Sequence, residues 1–141
     1  MDHMFNGASE FNQDISQWKT NAVTYMNGMF LYADKFNQDI GRWETSSVES
    51  MTNMFNNARM FDQNLETWNI QSLKSMENIF KDITLSTQNY DALLNAWSAQ
   101  APPSNLSFNG GNSTYSANAQ AARELLINTY GWTITDAGPA P

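Results

Sequence analysis

The chain has 141 residues, of which 41% are hydrophobic and only 15% charged; it has no cysteine, and its net charge is −7. That length buries one modest core, and the missing cysteines exclude disulfides, thiolate chemistry and cysteine metal sites. With 14 acidic against 7 basic residues and no Lys/Arg cluster, the expectation is no nucleic-acid partner. No apolar run approaches the roughly 18 residues of a membrane span, so no membrane insertion is expected. Met1-Asp2-His3-Met4 does not read as a signal peptide.

In chain order, the first feature is a period of 25 residues. Three units, 6–30, 31–55 and 56–80, align with six positions identical in all three. These are Ala8/Ala33/Ala58, Phe11/Phe36/Phe61, Gln13/Gln38/Gln63, Trp18/Trp43/Trp68, Met26/Met51/Met76 and Phe30/Phe55/Phe80. A unit this short cannot bury its own apolar face, so like residues are expected to stack on like in the next unit. The repeated Phe, Trp and Met are therefore assigned to core ladders. Met1, Met4 and Phe5 hold the positions of Met26, Met29 and Phe30. The chain thus reads as opening inside an earlier, partial coil (1–5), with end-to-end contact through that cut surface as an expected mode of association.

Within a unit, Val23, Met26, Met29, Phe30 and Ala33 fall at i, i+3, i+6, i+7 and i+10, the stripe of a short helix. Around Trp18 the pattern reads as a short strand, with Ile15, Trp18 and Thr20 inward. The expected fold class is an α/β solenoid: a leucine-rich-repeat-like right-handed coil with short parallel strands on one face and short helices on the other. Between helix and strand, Phe36-Asn37-Gln38-Asp39 and its equivalents are expected to satisfy turn backbone through a side-chain ladder along the stack.

The register weakens after Phe80. Ser86 or Thr87 reads as an N-cap, and Tyr90, Leu93, Leu94 and Trp97 give an amphipathic helix. Ala101-Pro102-Pro103-Ser104 ends it, Leu106-Ser107-Phe108 reads as a strand, and Asn109-Gly110-Gly111-Asn112 as a turn. Ala117 to Tyr130 reads as a second helix with Ala121, Leu125 and Ile127 in its core, and Trp132 to Thr135 as a last strand. The expected organisation is a repeat region over 1–83, capping coils over 84–136, and a tail or linker over 137–141.

Phe11-Asn12-Gln13-Asp14-Ile15-Ser16-Gln17-Trp18 followed by Met26 and Met29-Phe30 resembles the BspA-like leucine-rich-repeat surface proteins of bacteria. The closer likeness is to the subgroup with 25-residue Met-x-x-Met-Phe units, and it would make this chain a C-terminal fragment. The resemblance implies an extracellular or bacterial cell-surface location and adhesion to a host or neighbouring-cell protein or glycan. It supplies no catalytic motif.

Catalysis is not expected. His3 is the only histidine, which excludes the Ser-His-Asp, Cys-His and zinc-histidine constellations, and no cofactor or metal is expected. Recognition should use positions that vary between units, because the repeated frame leaves them free. On the expected strand face these are Ser16, Gln17 and Lys19, then Gly41, Arg42 and Glu44, then Glu66, Thr67 and Asn69. The reading is a non-catalytic recognition or adhesion module. The alternatives are a structural cap and spacer, or a carbohydrate-binding module using an exposed Tyr32 or Tyr115.

Overall fold

The computed structural model describes all 141 residues. It contains two helices, α1 (Thr87–Ser98) and α2 (Ala117–Asn128), and two strands, β1 (Ser107–Asn109) and β2 (Thr133–Thr135). The strands form one two-stranded parallel sheet, with Ser107 opposite Thr133 and Phe108 opposite Ile134. No helix is long and apolar enough to cross a membrane.

The expectation of an α/β, leucine-rich-repeat-like solenoid is overturned. Before Thr87 there is no helix and no strand, only turns and the isolated parallel bridges Tyr25–Ser50 and Ser50–Ser75. The cause is backbone chirality. Two positions in each 25-residue segment have positive φ: His3, Gly28, Asn53 and Asn78 at 55–58°, and Gly7, Tyr32, Asn57 and Asp82 at 58–74°. An α-helix holds φ near −63° throughout, so a left-handed residue at every such position stops it. Gly, Asn and Asp tolerate that region best, and they fill six of these eight places.

The apolar spacing of three that suggests a helix instead marks the ends of tight turns. Met29 N–H bonds to Met26 C=O (3.4 Å), Ala33 to Phe30 (3.0 Å) and Phe36 to Ala33 (3.1 Å), with Trp43 to Ile40 (3.1 Å) and Val48 to Thr45 (3.0 Å) following. Each i→i−3 link returns an apolar side chain to the same side. The intervening N–H groups bond to the segment 24 residues on: Met26 to Ser50, Gly28 to Thr52, Phe30 to Met54 and Tyr32 to Asn56, at 2.9–3.0 Å. The next four, from Met51, Asn53, Phe55 and Asn57, repeat the pattern. Consecutive segments therefore lie on one another as layers, and their backbone groups are paired without a regular element.

The core is a single apolar cluster. Phe30 stacks on Phe36 at 3.9 Å between centroids and on Phe55 at 5.5 Å, and Phe55 stacks on Phe61 at 4.0 Å. Three indoles reach back across the stack: Trp43 Nε1 donates to Ile15 C=O (3.1 Å), Trp68 to Ile40 (3.0 Å) and Trp97, on α1, to Leu65 (3.2 Å). Among the residues assigned to core ladders, Phe36, Phe61, Trp43, Trp68, Met26, Met51, Met76, Phe30, Phe55 and Phe80 are buried. Two differ: Phe11 is half-buried and Trp18 is 37% exposed. Both belong to the first layer, which has a neighbour on one side only, and the Trp18 indole has no carbonyl to bond.

α1 starts at Ser86, whose hydroxyl accepts from Asn89 N–H, and buries Tyr90, Leu93, Leu94 and Trp97. α2 buries Ala119, Ala122 and Leu126 rather than the expected set. Ala121 is exposed, Leu125 is 40% exposed and Ile127 is half-buried. Positions 119, 122 and 126 follow i, i+3, i+7, whereas 121, 125 and 127 do not share one narrow stripe. Asn109 C=O accepts from Phe80 N–H (3.1 Å) and joins β1 to the last layer. Residues 137–140, read from sequence as tail, are held by bonds from Ala137 N–H to Ser113 C=O (3.0 Å) and from Ala140 N–H to Tyr115 C=O (2.7 Å).

Candidate recognition groove

The segment after each repeated Phe builds one face of the stack. Asn37 N–H bonds to Asn12 Oδ1, Asp62 N–H to Asn37 Oδ1 and Ser86 N–H to Asp62 Oδ1, each at 2.9 Å. Gln38 and Gln63 donate their carboxamides to Asn12 C=O (3.0 Å) and Asn37 C=O (2.9 Å) one layer below. This ladder fixes the height of the layers. Two residues on, Asp14, Asp39 and Asn64 each accept from a backbone N–H two residues ahead, at 2.9 Å. Only a side-chain acceptor is needed there, which is why Asn64 replaces Asp without loss of the turn. Hydrogen bonding from Ser16, side chain first and backbone second, holds the Asp14 carboxyl below its ordinary value.

Between the second and third layers this face is hollowed into a groove of about 450 Å³. Gly41, Arg42 and Glu44 line it from one layer, and Glu66, Thr67 and Asn69 from the next. Those are six of the nine positions singled out in the sequence, although the surface is made of turns and not of strands. Ser16 and Gln17 line a smaller adjoining hollow of about 200 Å³, which shares Asp39 and Arg42 with the groove. Lys19 lines neither. The residues missed were Asp39, Trp43, Thr45 and Asn64, set aside because their repetition reads as purely structural.

Arg42, Glu44 and Glu66 are exposed, and their side chains make no hydrogen bond or ion pair within the chain. Thr67 Oγ1 donates to Gly41 C=O across the groove. Three carboxylates, Asp39, Glu44 and Glu66, against one guanidinium leave the lining with net negative charge. Ion pairing elsewhere in the stack is different in kind: Lys35–Glu10 (2.6 Å), Arg59–Asp34 (3.9 Å) and Lys74–Glu49 (2.8 Å) join residues 25 apart. Such exposed pairs set register more than stability. No group of three or more His, Cys, Asp or Glu side chains is placed to hold a metal ion.

A second polar cluster lies under the C-terminal segment and was invisible in the sequence. Asp136 accepts from Tyr90 Oη (2.7 Å), Arg123 Nε (2.9 Å), Arg123 Nη2 (3.1 Å) and Gly138 N–H (3.0 Å). The Asp136 side chain is 2% exposed, and the Arg123 guanidinium sits 4.9 Å from the Tyr115 ring centre. Burial opposes the Asp136 charge, but the bonds from Arg123 and then Tyr90 outweigh it and hold the carboxyl below its ordinary value. Burial first, and the Asp136 hydrogen bond second, push the Tyr90 hydroxyl far up. A phenol so held stays a donor. The cluster is a clamp in which the Asp136 carboxylate is engaged by all four of these bonds.

Residues 1–97 match the family described as "Mycoplasma protein of unknown function, DUF285", and the chain belongs to that family. No curated protein and no solved structure matches it.

Proposed function

We propose that this chain is a non-catalytic recognition module, surface-exposed or secreted, that binds a partner protein through the groove between its second and third layers. The observation that carries the reading is the division of labour on that face. Repeated side chains make the layer-to-layer bonds, while Arg42, Glu44 and Glu66 differ between layers and are free at a concave site. Concave surface with convergent polar groups is the ordinary setting for binding. The shifted groups Tyr90, Arg123 and Asp136 engage one another in the clamp, which supports a role without chemistry. The likeness of the Phe-Asn-Gln-Asp and Met-x-x-Met-Phe motifs to BspA-like surface proteins supports the location and an adhesive role.

The test is surface plasmon resonance of the purified chain against a panel of extracellular-matrix and cell-surface proteins and glycans. The comparison is a Glu44→Lys/Glu66→Lys variant whose fold is checked by circular dichroism. A protein ligand that binds the parent chain and is lost by the folded variant supports the groove. Binding that is equal in both refutes it.

A further inference from the structure

The groove contains two backbone groups whose equivalents, one layer on, are already occupied. In the third layer, Ile70 N–H donates to Gln100 Oε1 (2.9 Å) and Trp68 C=O accepts from Gln100 Nε2 (2.7 Å). One carboxamide thus satisfies a carbonyl and an N–H two residues apart, and Gln71 Nε2, bonded to Gln100 C=O (2.8 Å), steadies it. The corresponding groups in the second layer are Trp43 C=O and Thr45 N–H. Neither has a hydrogen-bond partner in the chain, and both residues line the groove. The Thr45 hydroxyl is committed elsewhere, to Asn69 C=O (3.0 Å). In the first layer, Trp18 C=O and Thr20 N–H are also unpaired, but neither residue lines a hollow.

Trp43 and Thr45 are only 3% and 2% exposed, yet both line the groove. A buried N–H without a partner is rare and costly. A carbonyl and an N–H two residues apart are also what an extended strand presents to a parallel neighbour, which fills them with the N–H and C=O of one residue. Gln100 is a side-chain imitation of that neighbour. The carboxylates of Asp39, Glu44 and Glu66 around the site favour positive charge beside the amide. A sugar would lack its usual platform, because Trp43 offers almost no exposed ring face.

Resting on the recognition reading above, we propose that the groove takes an extended basic peptide. One of its amides, backbone or Gln/Asn side chain, donates to Trp43 C=O and accepts from Thr45 N–H, as Gln100 does for Trp68 and Ile70. Lysine or arginine flanking that amide pairs with Glu44 and Glu66.

The experiment is a ¹H–¹⁵N NMR titration of the 141-residue chain with acetyl-Lys-Gln-Lys-Gln-Lys-amide, to about 10 mM so that millimolar binding is visible. Parallel arms use the Glu-for-Lys peptide and an N-acetylglucosamine oligomer. The Lys peptide is expected to move the Thr45 and Asn69 amide resonances saturably, to slow Thr45 N–H exchange with solvent, and to leave Ile70 N–H unmoved. The Glu44→Lys/Glu66→Lys variant should lose affinity by about tenfold or more. In Gln100→Ala, which vacates the third-layer site, the same peptide should now move Ile70 as well.

Saturable shifts at Arg42 and Glu66 with Thr45 N–H unmoved would refute the amide pairing while leaving recognition by the groove intact. A response of Thr45 to the oligosaccharide or the acidic peptide, but not to the basic one, overturns the partner class. No response anywhere in the groove overturns the inference, and the surface-plasmon-resonance panel then decides separately whether the recognition reading falls with it.

Discussion

Replacing Trp68 by Ala tests the account of the layered core most directly. Trp68 is fully buried, packs 6.2 Å from Phe55 between ring centres and donates its indole N–H to Ile40 C=O at 3.0 Å. Removing a buried tryptophan side chain costs about 3–5 kcal/mol through lost burial and the cavity left behind. The Ile40 carbonyl left without its donor adds about 1 kcal/mol. Trp18 occupies the same repeat position but is 37% exposed and its indole has no acceptor, so Trp18→Ala should cost roughly 1 kcal/mol, within the range of an ordinary substitution. Equilibrium urea unfolding followed by circular dichroism measures both. Trp68→Phe keeps most of the volume and drops the hydrogen bond, and it serves if Trp68→Ala does not fold. A cost for Trp68→Ala below 1 kcal/mol, or equal costs at 18 and 68, would refute the assignment of the indoles to cross-layer bonds and burial.

Three further outcomes follow from the backbone and the clamp. Tyr32 holds φ of 58° where its equivalents are Gly7, Asn57 and Asp82; Tyr32→Gly should raise stability by about 1 kcal/mol, read as a higher melting temperature, because the left-handed region costs a side chain roughly that much. Gly111 also has positive φ, and a Cβ there would meet the Phe80 and Ile83 carbonyl oxygens, so Gly111→Ala should destabilise by roughly 2 kcal/mol or more, measured by denaturant melt. Because folding lowers the Asp136 carboxyl pKa, its contribution is present above the unfolded value near 3.9 and is lost as pH falls through the lower folded value. Stability measured from pH 6 down to pH 2 should therefore fall less steeply in Asp136→Asn than in the parent chain, which starts higher.

The sequence made the 25-residue spacing and the identity of most core residues legible, since burial of repeated apolar side chains leaves little choice. It also made α1 legible, because Ser86 and the Tyr90–Trp97 stripe carry both cap and periodicity. The layered segments were misread because an apolar residue every third position fits either a helix face or a string of i→i−3 turns. The sign that separates them was present: Gly28, Asn53 and Asn78 in one register, and Gly7, Asn57 and Asp82 in another, are the residues that accept positive φ. Six of the variable positions singled out in the sequence line the groove, but its floor was missed, as nothing in a repeated Trp or Thr reveals an unpaired backbone group. The Asp136 clamp was hidden because its partners come from distant positions, Tyr90 and Arg123.

The rail of backbone bonds between layers bears on how this chain folds. Each backbone bond of this series joins residues 24 apart, so a loop must close before the first of them forms, and that entropy is lost again for every layer. The layers have no helix or hairpin on which local order could form first. The two 12-residue helices lie after them, whereas the local backbone bonds within the layers are single turns such as Met29 to Met26. Folding is then expected to begin late in the chain and to spread towards the first residue, with each completed layer templating the one before it. During synthesis the layered part leaves the ribosome first, so its phenylalanines and tryptophans wait, unburied, for the segment that starts the process.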